Sequence, residues 1–335
     1  MKRWKIKREK TMEAFNNDIC LSIENLSCDF LTIEGIVYAL SGVNLQLKKG
    51  EIHGLVGESG CGKSVTSRAI LGLLDRKRSR LKGSIHYDRN DLLALSEKEM
   101  RQIRGKRISM IFQDPLNSLS PLETVGSQIE EAMSNHFDLT KEERRKRAGL
   151  LLEGAGLYPE TARRYPFELS GGMQQRVMIA QAISCNPELL IADEPTTALD
   201  PTIQAQVLSL LKSLQKEMAL TVLFITHNFA VVAENCDRVS VMYAGRIVET
   251  SPARALIESP AHPYTAALIK CIPGSHDKGQ ELPVIAGFPP RLYEPPSGCP
   301  FVSRCPIGDS VCAAAPPLID LGGGRTVSCH HYGAV

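Results

Sequence analysis

The chain has 335 residues; 43% are apolar, and 39 basic side chains against 37 acidic ones leave a net charge of +2. That length predicts one large domain plus a smaller one, with a sizeable core. The even charge gives no global reason to invoke nucleic acid. No run approaches the roughly 18 apolar residues of a membrane helix, and the N-terminus lacks the apolar stretch of a secretory signal, so a soluble, cytosolic chain is expected.

Residues 1–18 are polar and basic, opening MKRWKIKREK, and read as a mobile extension. From Ile19 to Leu47 the segments CLSIENLSCDF and IVYALSGVNLQL predict an antiparallel flap, turned at Lys49-Gly50. EIHGLVG then reads as a buried strand and VTSRAILGLL as a helix. Between them GESGCGKS, Gly57 to Ser64, fits G-x-x-x-x-G-K-[ST], the P-loop, in the strand–loop–helix setting it requires. Its glycines let successive N–H groups turn inward around phosphate oxygens, and the helix start adds its positive end. Gly57, Glu58, Ser59, Gly60, Cys61, Gly62, Lys63, Ser64 and Val65 are thus the candidate nucleotide cradle. Lys63 is expected to reach the β- and γ-phosphates, and the Ser64 hydroxyl to ligate Mg²⁺.

Farther along, GSIHYD is a short strand, SEKEMRQIRG a helix with a Ser96–Glu99 capping box, and ISMIFQ (108–113) a strand. Residues 114–168 read as a largely helical insertion whose KEERRKR run is a solvated face. After it come a helix at 173–185, a buried strand ELLIAD (188–193), the amphipathic helix PTIQAQVLSLLKSLQKEM, the buried strand TVLFIT, the helix FAVVAENC and a terminal hairpin, DRVSVMYAGRIVET. The alternation predicts an α/β fold with a mainly parallel sheet covered on both faces. After about residue 250 prolines gather, and a loop-rich module is expected that needs more than an apolar core to hold it.

Two further motifs carry chemistry. ELLIADEP puts Asp193 and Glu194 at a strand end, where nucleotide chemistry occurs in such sheets. Asp193 is suited to Mg²⁺ and Glu194 to polarising an attacking water. At 169–176 the chain reads LSGGMQQR, where Ser170, Gly171 and Gly172 open a helix and make a second anion-binding N-terminus. One nucleotide does not readily use two phosphate cradles, but a dimer supplies one from each subunit.

LSGGMQQR resembles the ABC signature motif; with the P-loop, DEP and a late histidine in order, the chain resembles an ABC transporter ATPase subunit. The resemblance implies a P-loop ABC-type nucleotide-binding domain over 19–250, with a RecA-like core, an antiparallel β flap and a helical subdomain at about 114–168, followed at 251–335 by a small C-terminal module. It implies that Gln113 is the Q-loop glutamine that senses Mg²⁺ and the γ-phosphate and couples to the membrane partner. It makes His227, in LFITHN, the switch histidine on the γ-phosphate, and Ala198, Leu199 and Asp200, in TTALD, the D-loop crossing the dimer interface. Phe30, or alternatively Tyr38, takes the place of the aromatic that stacks on adenine. Glu194, His227 and Gln113 then form the catalytic set. Asn228 departs from the pattern, standing where the family usually has an acid.

GLVGESGCGKSVTSRAILGLL, MIFQDPLNSLSP, FELSGGMQQRVMIA, VMYAGRIVE and HPYTAALI are closely similar to ATPases of peptide and nickel ABC importers, and GKSVTSRAI and IAGFPP to the first of their two ATPase subunits. The resemblance implies ATP and Mg²⁺ as ligands and a second ATPase subunit, two transmembrane permeases and an extracytoplasmic solute-binding protein as partners. It places the chain peripherally on the cytoplasmic face of the membrane, importing oligopeptides or dipeptides. A nickel or metallophore importer has nearly the same ATPase and stays open. A soluble ABC ATPase usually has two cassettes or a coiled-coil insertion, and neither is present here.

Ten cysteines are many for a cytosolic chain. Four of them, Cys299, Cys305, Cys312 and Cys329, crowd the last segment and suggest a local metal or redox module in place of a disulfide framework. Four thiolates on a proline-rich scaffold suit a [4Fe–4S] cluster or Zn²⁺, although the usual C-x₂₋₄-C pairs are missing. His330 and His331 are possible competing ligands, and free thiols in a metal-free fold are the third option. The family resemblance favours the cluster, in a structural role.

Overall fold

The structure is a computed structural model describing residues 18–197, 199–272, 284–294 and 297–334. Nearly all of the basic extension, and Ala198, therefore lie outside the described residues. In chain order the elements are β1 (Ile19–Thr32), β2 (Gly35–Lys48), β3 (Ile52–Val56), α1 (Lys63–Ile70), β4 (Ser79–Tyr87), β5 (Asn90–Asp91), α2 (Glu97–Ile103) and β6 (Ile108–Ile111). The helical block holds α3 (Pro115–Ser118), α4 (Val125–Ser134) and α5 (Lys141–Gly154). Then come α6 (Gly171–Ala182), β7 (Leu189–Asp193), α7 (Pro201–Met218), β8 (Thr221–Thr226), α8 (Phe229–Asn235), β9 (Arg238–Tyr243) and β10 (Arg246–Pro252). The last stretch contributes α9 (Ala253–Glu258), α10 (Pro263–Lys270), β11 (Leu318–Gly322) and β12 (Arg325–Ser328).

Every residue of β3, β7 and β8 is buried, as expected of parallel strands covered on both faces. Alternate side chains divide between two cores, as the two-residue repeat of a strand requires. Val56, Leu190, Ala192, Val222 and Phe224 join the core shared with the helical block. Leu55, Leu189, Ile191, Leu223 and Ile225 join the core under the flap. β9, β3, β8, β7 and β6 lie side by side in parallel, with the P-loop strand β3 between β9 and β8. The flap is a separate antiparallel sheet ordered β2-β1-β4-β5.

Local signals explain the helix starts. Ser96 and Glu99 form the expected capping box on α2. Thr140 and Glu143 form another on α5, whose basic run is largely exposed. The P-loop helix ends at Ile70, shorter than the run to 74 expected from VTSRAILGLL, because the chain turns at Gly72 in a left-handed conformation.

The segment after 250 differs from its sequence reading in one respect. β12 pairs with β10 at Glu249↔Val327 and Thr250↔Thr326, and β11 pairs with β12, so this segment adds two strands to the edge of the main sheet. Its own apolar cluster is small, with Ala261, Val327 and Cys329 at its centre.

Candidate nucleotide site

The P-loop closes between β3 and α1. Gly62 has φ +110°, and a Cβ there would lie 2.9 Å from the Ala39 carbonyl oxygen, so glycine is what lets the loop meet the flap. Lys63 is buried and folds back across the loop, its Nζ donating to the carbonyls of Gly57 at 2.8 Å and Glu58 at 3.0 Å. Cys61 is buried beside it, and burial pushes its thiol pKa up.

Asp193 ends β7 with 3% exposure. Burial raises its carboxyl, opposed by the hydroxyls of Ser64, which donates at 3.3 Å, and Ser67, at 3.4 Å. A hydroxyl beside a carboxylate oxygen is a hard oxygen pair that fits Mg²⁺.

Glu194 leaves the strand with φ +49°, its N–H tied to the Ile225 carbonyl at 2.9 Å. Three side chains converge on its carboxylate. Gln113 Nε2 and Thr197 Oγ1 each donate to Oε2 at 2.9 Å, and His227 Nδ1 lies 3.1 Å from Oε1. Burial alone would raise this carboxyl, but the bonds from His227 and Thr197 hold it below the usual range. The result is an ionised carboxylate, fixed in direction, next to Asp193.

The signature segment lies elsewhere on the surface. Ser170 caps α6 by accepting the Met173 N–H at 3.4 Å, and Ser170 and Gly171 are exposed. Gly172 packs so closely that a Cβ would come 2.7 Å from Ile203 Cγ2. Asp200 caps α7 through the N–H groups of Thr202 and Ile203. Phe30 is half-buried on β1 against the flap core, paired with Val37 and Ser79; Tyr38, on β2, pairs with Asp29. Asn228 caps α8 by accepting from Ala230 and Val231 N–H, a task an acid at this position would also perform.

Of the four late cysteines, Cys299, Cys312 and Cys329 are buried and Cys305 is partly so; all are free thiols. The Cys299 N–H donates to the Cys312 carbonyl at 2.9 Å. Burial, with the nearby Cys299, Cys305 and Cys312, pushes the Cys329 thiol up to about 11. Among the described residues, one trio of potential ligands, Asp309, Cys312 and His331, has its ligand atoms within 4.8 Å of one another.

Comparison with known proteins agrees with this geometry. Residues 40–197 match the ABC transporter family, and 248–312 match the oligopeptide/dipeptide transporter C-terminal region. The chain is 47% identical to a probable peptide ABC transporter ATP-binding protein of Sinorhizobium fredii, covering 93% of this chain and 95% of the relative. It is 48% identical to the dipeptide transport ATP-binding protein of Bacillus subtilis, over 87% of this chain and 88% of that one. The chain belongs to the family of peptide ABC transporter ATP-binding proteins. Among solved structures it is similar to the dimeric ATP-binding cassette MJ0796 in a post-hydrolysis state bound to ADP and Pi, with TM-score 0.64, 33% identity, and coverage of 70% of this chain and 99% of that one.

This peptide transporter ATPase is thus an enzyme of the ATP-hydrolysing class coupled to transport, and its family implies permease and ATPase partners at the membrane. No helix among the described residues is long and apolar enough to cross a membrane. Sequence reasoning missed four residues that the fold brings to these sites. Thr197 lies in the EPTT run, where nothing in the sequence marks it apart from Thr196. Asp309 had no spacing signal. Tyr264 and Arg304 reach the P-loop from more than 200 positions away.

Proposed function

We propose that this chain is the ATP-hydrolysing subunit of an oligopeptide or dipeptide importer, working as a dimer with a second, related ATPase subunit. The observation that carries the reading is the convergence of Gln113, Thr197 and His227 on Glu194 beside the P-loop strand. ATP sits in the cradle from Gly57 to Val65, with Phe30 on the adenine and the partner's signature segment closing the site. The exposure of Ser170 and Gly171 supports that role for this chain's own signature. The similar MJ0796 cassette, described as dimeric, supports the pairing.

Lys63 exchanges its two backbone carbonyl partners for β- and γ-phosphate oxygens as nucleotide enters. Ser64 and Asp193, with Gln113, would hold Mg²⁺, whose positive charge would offset that of the phosphates. Glu194, kept ionised, accepts a proton from the attacking water and aims its oxygen at the γ-phosphorus. His227, with Nδ1 toward Glu194, presents its other ring nitrogen to a γ-phosphate oxygen. Asp200 and its loop lie at the dimer interface. Opening and closing of the dimer moves the helical block. A groove lined by Ser109, Met110, Phe112, Ser118, Met178 and Gln181 offers a seat for a permease loop helix. A solute-binding protein delivers substrate outside. The curated relatives' names favour peptides over nickel complexes.

The four late cysteines hold a [4Fe–4S] cluster in this reading. Their burial and mutual electrostatic influence suit such a group. When bound, the cluster supplies a cross-link for a segment with little core of its own; Cys299, Cys305, Cys312 and Cys329 are its ligands.

Anaerobic purification with the neighbouring genes co-expressed tests both readings. Co-purification of two permeases and a second ATPase, with four iron and four sulfide per chain, is the expected outcome. A lone soluble protein would overturn the importer reading, and zinc or no metal would overturn the cluster.

A further inference from the structure

Arg304 lies in the turn at Val302–Arg304, between Cys299 and Cys305, yet its side chain ends at the P-loop. Its Nη1 donates to Glu58 Oε2 at 2.7 Å and its Nη2 to Glu58 Oε1 at 3.0 Å, a two-pronged pair. The remaining donors are also satisfied: Nε reaches the Ala286 carbonyl at 3.0 Å, Nη2 the Ile285 carbonyl at 3.3 Å, and Nη1 the Tyr243 hydroxyl at 3.3 Å. The side chain is 4% exposed. A second tether comes from α10, where the buried Tyr264 hydroxyl accepts the Glu58 N–H at 3.0 Å. Tyr243, Tyr264 and Phe301 pack ring against ring at 4.6–5.3 Å and fix both tethers in place. The same segment touches the flap, since the Tyr38 N–H donates to the Leu292 carbonyl at 2.7 Å and the Tyr293 hydroxyl to Glu34 at 2.6 Å.

We propose that the C-terminal module is a clamp on the nucleotide site, in which Arg304 and Tyr264 are positioning residues that hold the outer turn of the P-loop. The argument is one of charge and direction. Glu58 is an anion in a loop built to receive a polyanion. Left unpaired, its carboxylate opposes the phosphates and is free to reach for Lys63, whose Nζ already rests on the Glu58 carbonyl. The guanidinium cancels that charge and turns the carboxylate outward. Tyr264 sets the peptide plane before Glu58, and the Gly57 carbonyl on that plane receives Lys63. ATP affinity is therefore set partly from the C-terminal module. The clamp rests on the ATP-site reading and does not depend on what the cysteines hold.

The test measures ATP affinity of the full-length chain by displacement of a fluorescent ATP analogue, with kcat and KM for hydrolysis measured in the assembled transporter. Arg304→Met should weaken ATP binding about tenfold and raise KM more than it lowers kcat. Glu58→Gln combined with Arg304→Met should bind ATP more tightly than Arg304→Met alone, because the unpaired charge is gone. Arg304→Lys, which keeps a charge but loses the fork, should fall between the parent and Arg304→Met; if Arg304→Met does not fold, Arg304→Lys with the parent's affinity overturns the clamp. Parent-like affinity in Arg304→Met also overturns it, as does a double variant no tighter than the single one, which would reduce Arg304 to packing. Lys63→Ala is the control on the site itself: loss of ATP binding is expected, and retained binding would sink the ATP-site reading, not the clamp alone.

Discussion

Gly57 shows how much of the site is decided residue by residue. It has φ +155°, and a Cβ there would press on the Met242 carbonyl oxygen and Cys61 Sγ. Met242 belongs to β9, so a side chain at Gly57 must push the P-loop off its neighbouring strand. Gly57→Ala should lose about 1–3 kcal/mol of stability and at least tenfold in ATP affinity, read by urea denaturation and nucleotide titration; unchanged values would remove Gly57 from the cradle. At this scale the sequence is most legible where spacing is local. Lys63, Ser64, Asp193 and Glu194 announce themselves because P-loop and strand-end chemistry need those residue types in short order. The Glu58–Arg304 pair does not, since 246 positions separate its members and nothing in either neighbourhood implies the other. Asn228 stands where the family usually has an acid, and the fold uses it as a helix cap.

Among the elements, α10 has an unusual start. His262 is 1% exposed and caps it, its Nδ1 accepting the Tyr264 N–H at 3.0 Å. Burial pushes its pKa down to about 4. A protonated Nδ1 would be a donor facing a donor, so the cap needs the neutral ring. The unfolded chain therefore takes up the proton first as pH falls. His262 contributes nothing to pH dependence above its ordinary value near 6.5, and its neutral state costs progressively more stability from there down to about 4. The total is up to about 3 kcal/mol. Glu249, which accepts the His262 N–H at 2.9 Å, has a carboxyl raised by burial and works in the opposite direction. The readout is therefore a difference: His262→Asn, which keeps a capping acceptor, should lose less stability than the parent between pH 7 and pH 4.5. Equal acid sensitivity in denaturation curves would contradict this account of the cap. The buried strands and capped helices were readable because their patterns are strong. β11 and β12 were not, because LIDLGGGRTVS is short, glycine-rich and half-exposed, and only its pairing with β10 makes it sheet.

For the whole molecule, the central parallel strands aim their C-terminal ends at one place, and both the P-loop after β3 and the acid pair after β7 arrive there. The fold class was legible because three mainly apolar strands alternate with helices. The way Tyr264 and Arg304 reach back to the P-loop was not, because it rests on long-range contacts, not on periodicity. The central claim, that ATP hydrolysis at Glu194 drives peptide import, concerns the assembled transporter. It is tested most directly in proteoliposomes holding the complete complex, by following ATP hydrolysis and labelled-peptide uptake together for the parent and for Glu194→Gln. The account predicts peptide-dependent hydrolysis coupled to uptake in the parent. In the variant it predicts retained ATP binding in a closed dimer, with turnover and uptake both lower by a factor of about 10² or more. Near-normal hydrolysis in Glu194→Gln, or parent hydrolysis with no peptide uptake, would contradict it.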